Sequence, residues 1–258
     1  MDRFSTNLYA RSVELVSWLD LKHRSILLYW TIIASAACGV RLSVGDFAML
    51  PATSQLVAAI PYILVVFAPI VSLLLAFHWF RDGERQPQPE FRLALFGSWK
   101  KVTSFEARSY RFYGVAGIMA SLIGGLLLNI PVRVLEFLAA MPTLPEAPPV
   151  WLSMLFALML ADVVLLTSFY AIASVAALKR VPLFPRLLFA VWMFDILMQI
   201  LIAHAMGAVP ELPAEVGAAL HQLLQGNLQK VLISFAIWTP YLLLSKRVNA
   251  TYRNRISD

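Results

Sequence analysis

Six mainly apolar stretches, at 25–44, 56–80, 112–130, 151–178, 187–206 and 228–244, dominate the chain and leave short polar connections between them. A helix rising about 1.5 Å per residue crosses a hydrocarbon core of about 30 Å in roughly 20 residues. Each stretch is near or above that length and satisfies its own backbone polar groups as a helix. Composition agrees: 60% of the 258 residues are apolar, 14% are charged, and mean hydropathy is +0.72, against about 25% charged in a soluble domain. The charges are too few and too clustered to coat a water-facing domain. The sequence therefore predicts an all-α polytopic membrane bundle of six transmembrane helices. The first stretch is the weakest because Arg41 interrupts it, and a re-entrant segment is its alternative.

Basic residues set the orientation. With both termini inside, the inner segments hold 18 of the 21 lysines and arginines, and the outer connections keep only Arg41, Arg133 and Lys230 beside Asp46, Glu136, Glu146, Glu211 and Glu215. Lysine and arginine bias in short loops governs topology, so an N-in, C-in arrangement follows. The net charge of +6 and pI of 9.6 then describe helix ends that attract anionic lipid headgroups at the cytoplasmic face. No nucleic-acid motif accompanies them, so no nucleic-acid partner is expected. The first 24 residues include Asp2, Glu14 and Asp20 and contain no apolar run before a cleavage site, so no removable signal peptide is expected. Cys38 is the single cysteine, which excludes an internal disulfide.

Residues 1–24 read as a cytoplasmic amphipathic segment. Phe4, Leu8, Val13, Leu15, Val16, Trp18 and Leu19 recur near helical spacing, opposite Asn7, Arg11 and Glu14. The transmembrane domain runs over 25–244 and contains a basic cytoplasmic loop at 81–111. Pro87 and Pro89 break that loop, and Phe91, Leu93, Leu95, Phe96 and Trp99 supply interfacial anchors. Thr103 with Glu106 fits a capping box, placing the start of the third helix near Ser104. Beyond a helix-breaking Pro131, residues 141–149 read as an extended loop. In the outer connection at 207–226, Leu212, Val216, Ala219, Leu220, Leu223 and Leu224 oppose Glu215, Gln222 and Gln225, which predicts a separate amphipathic helix. Residues 245–258 read as a basic tail.

Ionisable groups at membrane depth are costly and face protein or water. Asp195 lies nine residues past Arg186, about 13 Å deep at helical rise, with Gln199 on the same face. Asp162, His204 and Lys230 fall deeper, about 24–26 Å from the inner rim by the same arithmetic. Asn129, Arg133 and Glu136 reach that outer zone from the third helix. One reading is a cavity that binds a polar ligand or relays protons. The other is a lock in which Asp162 pairs with Lys230 or Arg133. His204 lies about 180° around its helix from Asp195, so the two do not share a site. Lys230, Ser234 and Tyr241 form a polar stripe on the last helix. Pro240 frees the carbonyl of Ala236, either as a tolerated kink or as a hinge, and Pro69 poses the same choice. Gly117, Ser121 and Gly125 form a small-residue face suited to helix packing.

The chain has no H-E-x-x-H, G-x-S-x-G, Walker lysine loop or G-x-G-x-x-G. His23, His78, His204 and His221 are scattered across the topology, so neither a metal site nor a cofactor is expected. The last helix and tail carry Trp238, Pro240, Tyr241, Ser245, Arg247, Val248, Thr251 and Tyr252 in the order W-x-P-Y-x-x-x-S-x-R-V-x-x-T-[FY]. This resembles the closing signature of the YdgK-like domain-of-unknown-function family of bacterial inner-membrane proteins. The resemblance implies a bacterial inner membrane and no particular activity. The functional expectation is a non-catalytic envelope accessory or assembly subunit, with a membrane protein partner or a homo-oligomer. The alternative is a small-solute or proton-coupled permease using Asp195 and Asp162.

Overall fold

The computed structural model describes residues 3–44, 47, 51–90, 97–210 and 212–257. Asp46, Arg92 and Glu211, and the expected anchors Phe91, Leu93, Leu95 and Phe96, lie outside the described residues, as do the side chains of Phe4 and Leu8. Helices dominate: α1 (Arg3–Leu21), α2 (His23–Val44), α3 (Ala52–Trp79), α4 (Ser104–Ser109), α5 (Ile118–Ala140), α6 (Val150–Leu178), α7 (Phe184–Gly207), α8 (Ala214–Leu244) and α9 (Lys246–Arg253). Two short strands, β1 (Trp99–Lys101) and β2 (Arg255–Ser257), pair antiparallel with Lys100 opposite Ile256. Among the described residues, α2, α3, α5, α6 and α7 are long and apolar enough to cross a membrane. A sixth span results if α8 and α9, bent by 71° at their junction, are taken together. The protein is an all-α polytopic membrane bundle.

Helix α6 is the hub, packed against α3, α5 and α7, while α8 packs on α7. Its buried residues, from Leu152 and Phe156 to Leu166 and Ala173, follow helical spacing along one face, while Met154 and Leu165 on the opposite face stay exposed, so the helix turns one side to its neighbours and the other outward. The core falls into two hydrophobic clusters. One, near the end of the bundle that carries both termini, gathers Ile123, Leu166, Leu188, Trp192 and Tyr252. The other, near the opposite end, gathers Phe137, Phe156, Met159, Ile202 and Leu224.

Three expected boundaries are corrected. The third membrane helix does not start near Ser104. The capping box of Thr103 and Glu106 is formed, but it caps the separate α4, and α5 begins at Ile118. Gly114 and Gly117, at φ of 104° and 67°, turn the backbone between them, a conformation that favours glycine. Pro131 does not break the helix either. It sits inside α5, as prolines in membrane helices often do when neighbours satisfy the freed backbone. At the other end, the helices expected over 212–225 and 228–244 are one helix, α8. Its buried Leu220, Leu224, Asn227 and Val231 form a continuous stripe across the expected gap, so the apolar face never changes register.

The basic tail is no free segment. Ser245 accepts from the backbone N–H of Val248 to start α9, and Asn254, at φ 49°, ends it and turns the chain into β2. Residues 248–253 of α9 are buried. Below α3, the 3-10 turn Gly83–Arg85 packs on the α6–α7 connection so closely that a Cβ on Gly83 would stand 2.6 Å from Val181 Cγ2 and 2.9 Å from the Lys179 carbonyl oxygen. Gly83→Ala is therefore expected to destabilise the protein by about 1–3 kcal/mol. Thermal unfolding in detergent checks this, and an unchanged melting temperature would contradict it.

Candidate functional site

A polar layer separates the two hydrophobic clusters. Arg133 on α5 is its centre, buried between Ile130 and Val134, which belong to different clusters. Its Nη1 donates to Asp162 Oδ2 of α6 at 3.1 Å, and its Nη2 donates to Asp195 Oδ2 of α7. Its Nε donates to Asn129 Oδ1, one turn back on α5, at 3.0 Å. Gln199 Nε2 donates to Asp162 Oδ1 at 3.0 Å and lies 3.4 Å from Asp195 Oδ1. The Tyr170 hydroxyl donates to Asp195 Oδ2 at 2.8 Å, and its ring lies 5.7 Å from the guanidinium. Asp195 is fully enclosed, at 0% exposure. One guanidinium, two carboxylates, two amides and a phenol thus form one network across α5, α6 and α7.

The expected residues divide. Asp162, Asp195, Gln199 and Arg133 meet; Lys230, Ser234 and His204 stand apart. Of the two partners open to Asp162, the structure selects Arg133, whereas Lys230 binds Glu136 with its side chain 60% exposed. His204 is exposed at the far end of α7. Helical rise alone set Asp195 and Asp162 at different depths. Gln199 lies a turn further along α7, at the level of Asp162, and the long Arg133 side chain spans the remaining offset. Tyr170 was missed, although a tyrosine in the middle of an apolar run signals a hydroxyl that needs a partner.

Helices α5 and α8 do not pack closely on each other, and a seam runs between them. Its crevices hold about 50, 90 and 10 Å³ and are lined by Asn129, Glu136, Asn227, Lys230 and Ser234, reaching Arg133 and Asp162. These spaces admit water but fall far below the roughly 300 Å³ of an ordinary ligand pocket. The small-residue face opens on this seam and is not buried in a helix contact. Ser121 and Gly125 are exposed, nothing lies within 4 Å of a Cβ built on Gly125, and Gly117 precedes the helix. Ser234 lines the seam, and Tyr241 lies below it against Trp238.

A larger cavity of about 610 Å³ opens at the end away from the termini, between α3, the 141–149 connection and α6. Val57, Ala58, Pro61, Phe156 and Leu160 make it mostly apolar, and the buried Tyr62 hydroxyl on its wall has no partner among the described residues. Such a lining suits an apolar group carrying one hydrogen-bonding atom.

A family model described as "Protein of unknown function (DUF2569)" matches residues 113–253, 141 of the 258. The chain belongs to the DUF2569 family. The DUF2569 segment contains α5 to α9 and hence the whole Arg133 layer and both walls of the seam. Helices α1 to α4, including the α3 wall of the larger cavity, precede it. No curated protein and no solved structure matches the chain.

Proposed function

We propose that the protein is a non-catalytic accessory subunit of a bacterial inner membrane that receives a membrane helix of a partner in the α5/α8 seam. The open seam carries this reading. Asn129, Ser234 and the Lys230–Glu136 pair lie along a groove that α5 and α8 leave unfilled, and polar groups facing lipid at such depth are unfavourable. Exposed Ser121 and Gly125 offer the close approach that membrane helices use to associate. A partner helix with its own polar side chain answers both features. The distribution of 18 basic residues supports placing both termini in the cytoplasm.

The permease reading draws on one observation, that the crevices touch Arg133 and Asp162. One experiment separates the two. A photo-crosslinking residue is placed at Ser121, at Ser234 and, as a lipid-facing control, at Ile63. The subunit reading expects the same protein adduct at the first two positions, none at Ile63, and loss of the adduct when Gly125→Leu fills the seam. Adducts to lipid alone at all three positions, together with solute or proton flux in proteoliposomes that Asp195→Asn abolishes, would replace it with the permease.

A further inference from the structure

Arg253, the last residue of α9, is buried to 6% exposure at the end of the bundle that carries the termini. Its Nη1 donates to Asn249 Oδ1 at 3.1 Å. Its Nε and Nη2 are buried and have no partner among the described residues. These two atoms form one edge of the guanidinium, the edge whose parallel N–H bonds match two oxygens of a phosphate or carboxylate. Buried polar groups are nearly always bonded, so a guanidinium with this edge left open is a feature to explain. Among the described residues no carboxylate forms an ion pair with Arg253.

The surroundings are cationic. Burial, and then the charges of Arg186 in the first turn of α7 and of Arg255 in β2, push the Arg253 guanidinium down to about 10. Lys101 of β1 stands opposite Arg255 in the strand register. The backbone holds this assembly in place: the Val102 N–H donates to the Asn254 carbonyl at 3.0 Å, and Asn254 Nδ2 donates to Ser104 Oγ at 3.1 Å. Arginines of α7, α9 and β2 thus act on one another at this end of the bundle.

We propose that Arg253, with Arg186 and Arg255 supplying further charge, binds a phosphate group at this end of the bundle. Two oxygens accept from the open guanidinium edge, and the neighbouring arginines select a phosphate over a lone carboxylate by charge. The phosphate belongs either to the headgroup of an anionic lipid or to a phosphorylated solute.

The test uses the full-length protein in non-ionic detergent and phosphate-free buffer, with melting followed as inorganic phosphate or matched ionic-strength chloride is added. A second arm compares phosphatidylcholine nanodiscs with and without phosphatidylglycerol. Phosphate or phosphatidylglycerol is expected to raise the melting temperature of the parent. Arg253→Gln should weaken that response about tenfold to a hundredfold, while Lys246→Gln, which removes an exposed charge at the same end, keeps it. Arg253→Lys, which retains charge but loses the parallel fork, should lose most of the response, and it carries the comparison if the glutamine variant does not fold. A response to inorganic phosphate assigns a soluble ligand, and one confined to phosphatidylglycerol discs assigns a lipid headgroup. The proposal is overturned if neither additive acts, if Lys246→Gln loses as much as Arg253→Gln, or if Arg253→Gln lowers the melting temperature equally in phosphate and chloride.

Discussion

Replacing Arg133 with methionine is expected to remove about 3–5 kcal/mol of stability, a large part of the roughly 5–15 kcal/mol that holds a typical domain folded. The size of the effect comes from what remains behind. Asp162 and Asp195 both depend on this guanidinium, both are buried, and three membrane helices meet there. Without Arg133, two carboxylates face each other in an apolar interior with only Gln199 and Tyr170 to donate to them. Two companion variants separate this loss from simple truncation. Combining Arg133→Met with Asp162→Asn and Asp195→Asn removes all three charges and should recover most of the stability, because a neutral replacement of a buried ion cluster is often tolerated. Lys230→Met, at the 60% exposed end of its pair with Glu136, should change stability by less than about 1 kcal/mol. Thermal unfolding and size-exclusion profiles in one mild detergent read all three. If Arg133→Met melted with the parent, the polar layer would not be what fastens α5, α6 and α7.

The parts of this architecture that a reader can take from the sequence are those encoded within one helix. The spans expected at 151–178 and 187–206 match α6 and α7, Val150–Leu178 and Phe184–Gly207, because apolar density is bounded by Lys179, Arg180 and Arg186 at the inner ends and by Pro149 and Pro210 at the outer ends. The third span slipped along the chain by several residues. Its true start depends on two glycines with positive φ, and Pro131, which reads as a stop, is absorbed into the helix. The same division holds at the site. Asp195 and Gln199 are one turn apart on α7, and their adjacency is a matter of helical geometry. That Asp195 shares an arginine with Asp162 depends on the relative heights of three helices and on the reach of one side chain. Neither is written in any local spacing. The seam was hidden for the complementary reason: a stripe of small residues looks the same whether its partner lies within the chain or outside it.

The tail offers the second large effect. Tyr252→Ala is expected to cost about 3–5 kcal/mol, the range for emptying a buried aromatic site, although the residue lies in the stretch that reads as a basic tail. Lys246 and Arg247 make this region look like a solvated stop-transfer signal, yet the Tyr252 ring is 0% exposed and lies 5.0 Å from the ring of Phe184 at the start of α7. Its hydroxyl donates to the Ala177 carbonyl at 2.8 Å, and Gln88 Nε2 donates to its own carbonyl at 3.1 Å. The side chain therefore joins α9 to the end of α6 and the start of α7, and the backbone carbonyl of the same residue adds the loop after α3. Tyr252→Phe keeps the ring and loses one hydrogen bond, so its cost should be only about 0.5–1.5 kcal/mol. Burial also holds the Tyr252 phenol well above its ordinary value of 10.0. In the folded protein it keeps its proton where an unfolded tyrosine would release it, so its contribution is whole below about pH 10 and is lost as pH rises above that. Tyr252→Phe should accordingly show a shallower alkaline loss of stability than the parent. Deleting residues 246–258 should destabilise at least as much as Tyr252→Ala, and a truncated protein that melted with the parent would mean that α9 rests on the bundle without supporting it.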